Sequence, residues 1–172
     1  MRTVLPGFLR ATLGVACGLV LLGSSAYADA VVTQRSLGMD AARDAATAAI
    51  EACRRDGLHI TVTVVNAAGQ TLVVLRDDGT APHTVENSLR KAYTALTFRA
   101  TSGAFGKRIT SDPANIGVLN LEHVTSLEGA LPILSHKEVV GAIGASGAPN
   151  GALDAACVQI GIDRIAKALE AP

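Results

Sequence analysis

The sequence predicts an α+β fold, a single antiparallel β-sheet packed by α-helices. Residues 59–76 alternate β-branched side chains around Asn66-Ala67-Ala68-Gly69, which is the pattern of a hairpin. On either side of that hairpin, apolar residues recur at the spacing of helices that cover one face. A second strand pair and a last helix follow, giving the order helix, strand, strand, helix, short helix, strand, strand, helix. No internal repeat, low-complexity segment or long linker interrupts it.

The first 28 residues predict an export signal and not part of the fold. Arg2 and Arg10 make a basic start, Ala11 to Leu22 is nearly unbroken apolar sequence, and Ala26-Tyr27-Ala28 offers the small residues that signal peptidase reads. Cleavage after Ala28 makes Asp29 the first mature residue and implies a periplasmic or secreted protein. The apolar run falls short of the roughly 20 residues of a membrane span. A lipoprotein signal at Cys17 fits less well, because Gly14 stands where leucine is expected and the apolar run continues past the cysteine.

Residues 29–172 then form one domain by size. Of the 15 basic residues only Arg2 and Arg10 leave with the signal, so the remainder faces 15 acidic groups and the mature chain is slightly acidic. That balance excludes nucleic acid and an anionic membrane surface as partners. Tyr93, Phe98 and Phe105 are the mature aromatics, so the core must be built from Ala, Val, Ile and Leu.

Leu37 to Arg55 is a helix, with Met39, Ala42, Ala46, Ala49, Ile50 and Cys53 at helical spacing and Gly57 at its end. His59 to Val65 and Gln70 to Arg76 are the hairpin strands. Val62, Val64, Leu72 and Val74 are expected on one face, with Thr61, Thr63, Thr71 and Val73 on the other. Asp77-Asp78-Gly79 closes the second strand, and a helix begins near Pro82 to Thr84. Val85, Leu89, Ala92 and Leu96 form its apolar stripe, expected to cover the sheet. In residues 102–120 only Asp112-Pro113 marks a helix start, with Ile116 and Leu119 on its inner side. Leu131 to Leu134 and Val139 to Ala145 are strands around a turn at His136-Lys137. Leu153 to Leu169 buries Val158, Ile162, Ile165 and Leu169. Cys53 and Cys157 each sit on a helix and fit either small apolar core residues, the preferred reading, or an oxidised pair.

Three blocks carry a family resemblance: the hairpin His59 to Leu75, the segment Arg76 to Thr101 with Lys91-Ala92-Tyr93-Thr94-Ala95 in it, and Val139 to Ala148, VVGAIGASGA. Together they resemble the GlcG/HbpS family of haem-binding proteins, which includes the C-terminal domain of PduO-type cobalamin adenosyltransferases. The resemblance covers residues 37–169. It implies an exported protein that binds haem, a related tetrapyrrole or its iron, works as a homo-oligomer, and is a binding protein before it is an enzyme. Haem degradation, turnover of a small metabolite with His83 and Glu86 as acid and base, and a ligand-free partner of a sensor or transporter are the alternatives. The chain departs from the family at Gly129-Ala130-Leu131-Pro132, where a second glycine is usual and Ala130 stands instead.

The candidate site gathers on the helix that opens at Pro82. His83 and Glu86 lie three residues apart and could reach one metal ion, and an imidazole with a carboxylate suits iron or zinc. His83 is the candidate metal ligand, since histidine commonly ligates haem iron. Equally, Thr84 with Asn87 makes an N-cap pair and Glu86 favours the helix dipole, so this start needs no ligand to explain it. Lys91 falls opposite the apolar stripe and reads as a solvated cation. With Arg76 and Arg90 it could instead pair with carboxylates such as haem propionates. Thr94 could offer a hydroxyl to a ligand or bond back to its own helix.

Other features carry less. Gly141-Ala142-Ile143-Gly144-Ala145-Ser146-Gly147 lacks phosphate-loop spacing and reads as a strand allowing close approach. Ser146 is not in a nucleophile elbow. His59, His123 and His136 read as bystanders.

Overall fold

A computed structural model describes residue 3 and residues 30–171. The predicted export signal lies outside the described residues. All the described secondary structure falls in the compact unit Thr33–Pro172.

The elements run α1 (Met39–Arg55), β1 (Thr61–Asn66), β2 (Thr71–Arg76), α2 (His83–Phe98), α3 (Ser102–Ser111), a 3-10 segment (Pro113–Asn120), β3 (Ala130–Ser135), β4 (Glu138–Ser146) and α4 (Gly151–Leu169). The four strands form one antiparallel sheet in the order β2-β1-β4-β3. The predicted α+β class therefore holds, and the predicted element order holds apart from α3, which it lacked. No described helix is long and apolar enough to cross a membrane.

One face of the sheet is aliphatic. Val62 and Val64 of β1, Ile133 of β3 and Ile143 of β4 pack with alanines of α1 and with Val158 and Ile165 of α4. Cys53 of α1 and Cys157 of α4 are bonded to each other across 104 residues of sequence. The preferred reading as unpaired core residues is thus corrected: they are core residues and a disulfide at once, because α1 and α4 bring two small buried side chains face to face.

The register of β2 corrects its predicted faces. Val64 pairs with Val73 and Val65 with Thr71, so Leu72 is an extra residue bulged out of the ladder. Beyond the bulge the alternation reverses, and Val73 and Leu75 join the aliphatic core in place of Val74, which is 42% exposed. Alternation read from sequence cannot register such an insertion.

The other face is covered by α2, and here too the predicted stripe is rotated. Val85 is 40% exposed, while Thr84, Ser88, Lys91, Ala92, Thr94 and Ala95 are buried. The reason is chemical: β1 presents Thr61 and Thr63 to this face, and hydroxyls need partners. Thr84 donates to the Ala81 carbonyl and shares a 2.7 Å hydrogen bond with Thr61. Ser88 donates to the Val85 carbonyl and shares a 2.7 Å bond with Thr63. Matching buried hydroxyls outweighs burying Val85, since an unsatisfied one costs about 1–3 kcal/mol.

Gly144 lets this happen. A methyl group there would lie 2.6 Å from the Ser88 carbonyl oxygen and 2.7 Å from the Ala92 nitrogen, so the α2 backbone rests directly on β4. Ala130, at the family's second-glycine position, packs beside it with Ala92 and Ala142.

Residues 102–111 form a helix that sequence periodicity did not reveal. The Thr101 side chain caps it by accepting from Ala104 N at 3.0 Å, and Phe105 stacks on Phe98 at 4.1 Å between centroids. Leu119 packs near this small core. Ile116, expected inside, is 58% exposed. The sharp reversal at His136 and Lys137, with φ of 47° and 69°, joins β3 to β4 as predicted.

A cleft between the N-terminal turns of α2 and α4

The ends of β1 and β4, the loop before α2 and the start of α4 enclose a cleft of about 530 Å³. That size falls in the roughly 300–1,000 Å³ range of small-molecule sites. Leu58, Ala81, Leu127, Ala148 and Pro149 supply apolar lining, and His59, His83, Asn87, Lys91, Glu128 and Asp154 supply polar groups. A second hollow of about 320 Å³ adjoins it and shares His83, Asn87 and Leu127, adding Glu86 and Arg90.

Lys91 is the largest departure from expectation. It is 3% exposed, and its Nζ donates to Asp154 Oδ2 at 2.7 Å and to the Ala145 carbonyl at 2.9 Å. Helical periodicity placed it opposite the apolar stripe and therefore in water. Because the buried side of α2 is the polar one, Lys91 points inward instead. Asn150 caps α4, accepting from Leu153 N at 3.0 Å, and Asp154 lies in its first turn. Its second oxygen accepts from Ala148 N at 3.1 Å. Burial pushes the Asp154 carboxyl up, while Lys91 and the Ala148 N–H pull it back. Gly129 completes the junction with φ of +133°, and a methyl group there would sit 2.7 Å from Lys91 Nζ.

The other sequence candidates are dispersed. His83 is the first residue of α2, exposed on the rim common to both hollows. Glu86 is exposed and lies 3.8 Å from Arg90, whose guanidinium donates to the Val124 carbonyl at 2.7 Å. Thr84 and Asn87 do not form an N-cap pair. Thr84 is turned to the sheet, and Asn87 Nδ2 donates to Ser146 Oγ at 2.9 Å. Arg76 donates to the Thr80 carbonyl and does not line the cleft. Thr94 is buried away from it, donating to the Arg90 carbonyl and accepting from Thr125 N at 3.0 Å. Among the described residues no three His, Cys, Asp or Glu side chains gather closely enough to hold a metal ion.

Glu128 lines the cleft, and so does His59, read from sequence as a bystander, with Asp77 of the predicted turn as its partner. Asp77 is 4% exposed and accepts from Arg54 Nε at 3.0 Å, from Arg54 Nη2 at 2.5 Å and from His59 Nδ1 at 3.0 Å. Arg54 chiefly holds its carboxyl down to about 2, against the opposing effect of burial. Asp77-Asp78-Gly79 carries an ordinary turn signal, which masks this role. A lone histidine opening a strand carries no signal at all.

The cleft presents the imidazoles of His59 and His83 beside small aliphatic side chains, and Arg90 lies in the adjoining hollow. Residues 37–163 match a family described as haem-degrading protein HbpS-like. The crystal structure of HbpS superposes with a TM-score of 0.74 at 34% identity, over 81% of this chain and 96% of that one. PduOC in its haem complex superposes with a TM-score of 0.68 over 76% of this chain and 95% of that one. At 19% identity that likeness is one of fold. A UPF0303 protein of Edwardsiella ictaluri is 37% identical over 103 residues, 58% of this chain and 64% of its own length. The chain spans less than two thirds of the curated relatives it matches.

Proposed function

The chain belongs to the HbpS-like family of haem-degrading proteins, and from that premise we propose that it binds haem in the cleft between α2 and α4. The observation that carries this reading is the cleft itself, about 530 Å³ with His59 and His83 on its walls. Bound haem would supply an iron centre for ligand and redox chemistry. The chain's own residues do the rest. His83 and Glu86 flank the entrance, Arg90 offers a cation to a propionate, and the Lys91–Asp154 pair holds the two helix ends that form the walls. Lys91 is already engaged, so its part is to position those walls. Arg76 and Thr94 lie outside this cleft and are assigned no contact.

The test is titration of haemin into the mature protein. A saturable Soret shift is expected, and an unperturbed spectrum at large excess of protein overturns the reading. The family's description favours one rival, degradation. Loss of the Soret band under reductant and oxygen, with biliverdin and free iron released, would establish it; a stable band keeps the protein a binder.

We propose also that the protein is exported to the periplasm or medium and acts as a homo-oligomer. The apolar run before Ala28 and the Cys53–Cys157 bond support export. Exposed Ile116, Leu121 and Leu127 support self-association. Mass spectrometry of exported protein should begin at Asp29, and light scattering should give a multiple of the mature mass.

A further inference from the structure

Two imidazoles border the cleft, and the protein holds them differently. His83 makes no side-chain hydrogen bond among the described residues and stands exposed at the first turn of α2. His59 leads into β1, and its Nδ1 lies 3.0 Å from Asp77 Oδ2. Asp77 is itself fixed: Arg54 grips it with Nε and Nη2, and its backbone N–H donates to the Ile60 carbonyl at 3.0 Å. The Arg54 grip marks Asp77 as a carboxylate, which can only accept. The proton between it and His59 therefore belongs to Nδ1. With the proton on Nδ1, Nε2 is the ring nitrogen that turns to a ligand, and no hydrogen bond among the described residues engages it. The ring lines the cleft and is 58% exposed.

A carboxylate behind one ring nitrogen is the arrangement that orients metal-ligating histidines and raises their basicity. We propose that His59, through Nε2, is the ligand this cleft offers to the iron of a ferric porphyrin, with Asp77 and Arg54 as positioning residues. This rests on the haem-binding reading above. It assigns the ligand to the imidazole that sequence treats as a bystander, and leaves His83 as a contact at the entrance.

The experiment titrates ferric haemin into the full mature protein and its His59→Ala, His83→Ala and Asp77→Asn variants. Dissociation constants come from the Soret band, and axial ligation comes from electron paramagnetic resonance. His59→Ala should weaken binding at least tenfold and change the ferric spin signature, and added free imidazole should restore the wild-type signature. Asp77→Asn should weaken binding about 10–100-fold through loss of the orienting carboxylate. His83→Ala should weaken binding less than His59→Ala does and leave the ferric spin signature unchanged, as suits a contact at the entrance. Because His59 is exposed, its variant tests the assignment even if Asp77→Asn fails to fold. Wild-type affinity and spectrum in His59→Ala, with both altered in His83→Ala, overturn this assignment and leave haem binding intact. An unperturbed wild-type spectrum overturns haem binding itself, and the assignment falls with it.

Discussion

On one side of β1, Val62 and Val64 press into alanines and valines of α1 and α4; on the other, Thr61 and Thr63 bond to Thr84 and Ser88 of α2. A single strand thus serves two faces of opposite chemistry. The aliphatic face is non-directional, is closed by a disulfide, and accepts any side chains of similar volume. The polar face is a chain of matched partners, each of which fixes where α2 may lie. That constraint ends at Lys91 and Asp154, where α2 meets α4 and the cleft opens. Stability and site are divided between the faces: the first supplies bulk burial, the second supplies register.

Breaking the aliphatic face at its covalent tie should have the largest effect. Replacing Cys53 and Cys157 by serine releases a loop of 104 residues, which costs about 4 kcal/mol. Urea denaturation should show it as a lower midpoint, matched by wild type under reductant. Cutting the polar chain comes next. Lys91→Met leaves Asp154 buried without its cation and should cost about 3 kcal/mol. The double variant Lys91→Met with Asp154→Leu should recover most of that. If the double variant is as unstable as the sum of the two singles, the pair is not the coupled unit described here.

The faces are compared most directly within β1. Val64→Ala should cost about 2–3 kcal/mol, since it opens a cavity in a packed core. Thr63→Val should cost about 1 kcal/mol, the net worth of one hydrogen bond, because Ser88 keeps the Val85 carbonyl as a partner. Equal losses would erase the distinction between the faces.

The smallest effect is in acid. Asp77, held to about 2, contributes stability that is complete above the ordinary carboxylate range and lost as pH falls from roughly 4 towards 2. Asp154 is shifted the other way by burial, so its contribution is complete below that range and lost as pH rises through its raised value. Asp77→Asn should therefore flatten the acid limb of a stability–pH profile. An unchanged limb would mean that Arg54 does not grip Asp77 in solution.

The aliphatic half of the architecture was legible in the sequence because its signals are local. The α1 and α4 periodicities, the Asn66–Gly69 turn and the His136-Lys137 reversal all stand where they are predicted. The polar half was not. A helix whose buried side carries Thr84, Ser88 and Lys91 inverts the usual sign of an amphipathic stripe, so Val85 was placed inside and Lys91 in water. The β2 bulge at Leu72 was equally silent, as one extra residue leaves composition and alternation looking ordinary. The cleft shows the same limit. His83 and Glu86 advertise themselves by helical spacing, whereas His59 and Asp77 are 18 residues apart and meet only through the hairpin.

Hydrogen–deuterium exchange with and without haemin tests most directly whether the polar face ends in a ligand site. Protection should concentrate in peptides covering residues 57–59, 79–91 and 146–154, with the outer surface of α1 and α4 around Asp44 and Arg164 unchanged. Protection centred on that outer surface, with the cleft peptides exchanging as before, would contradict the account.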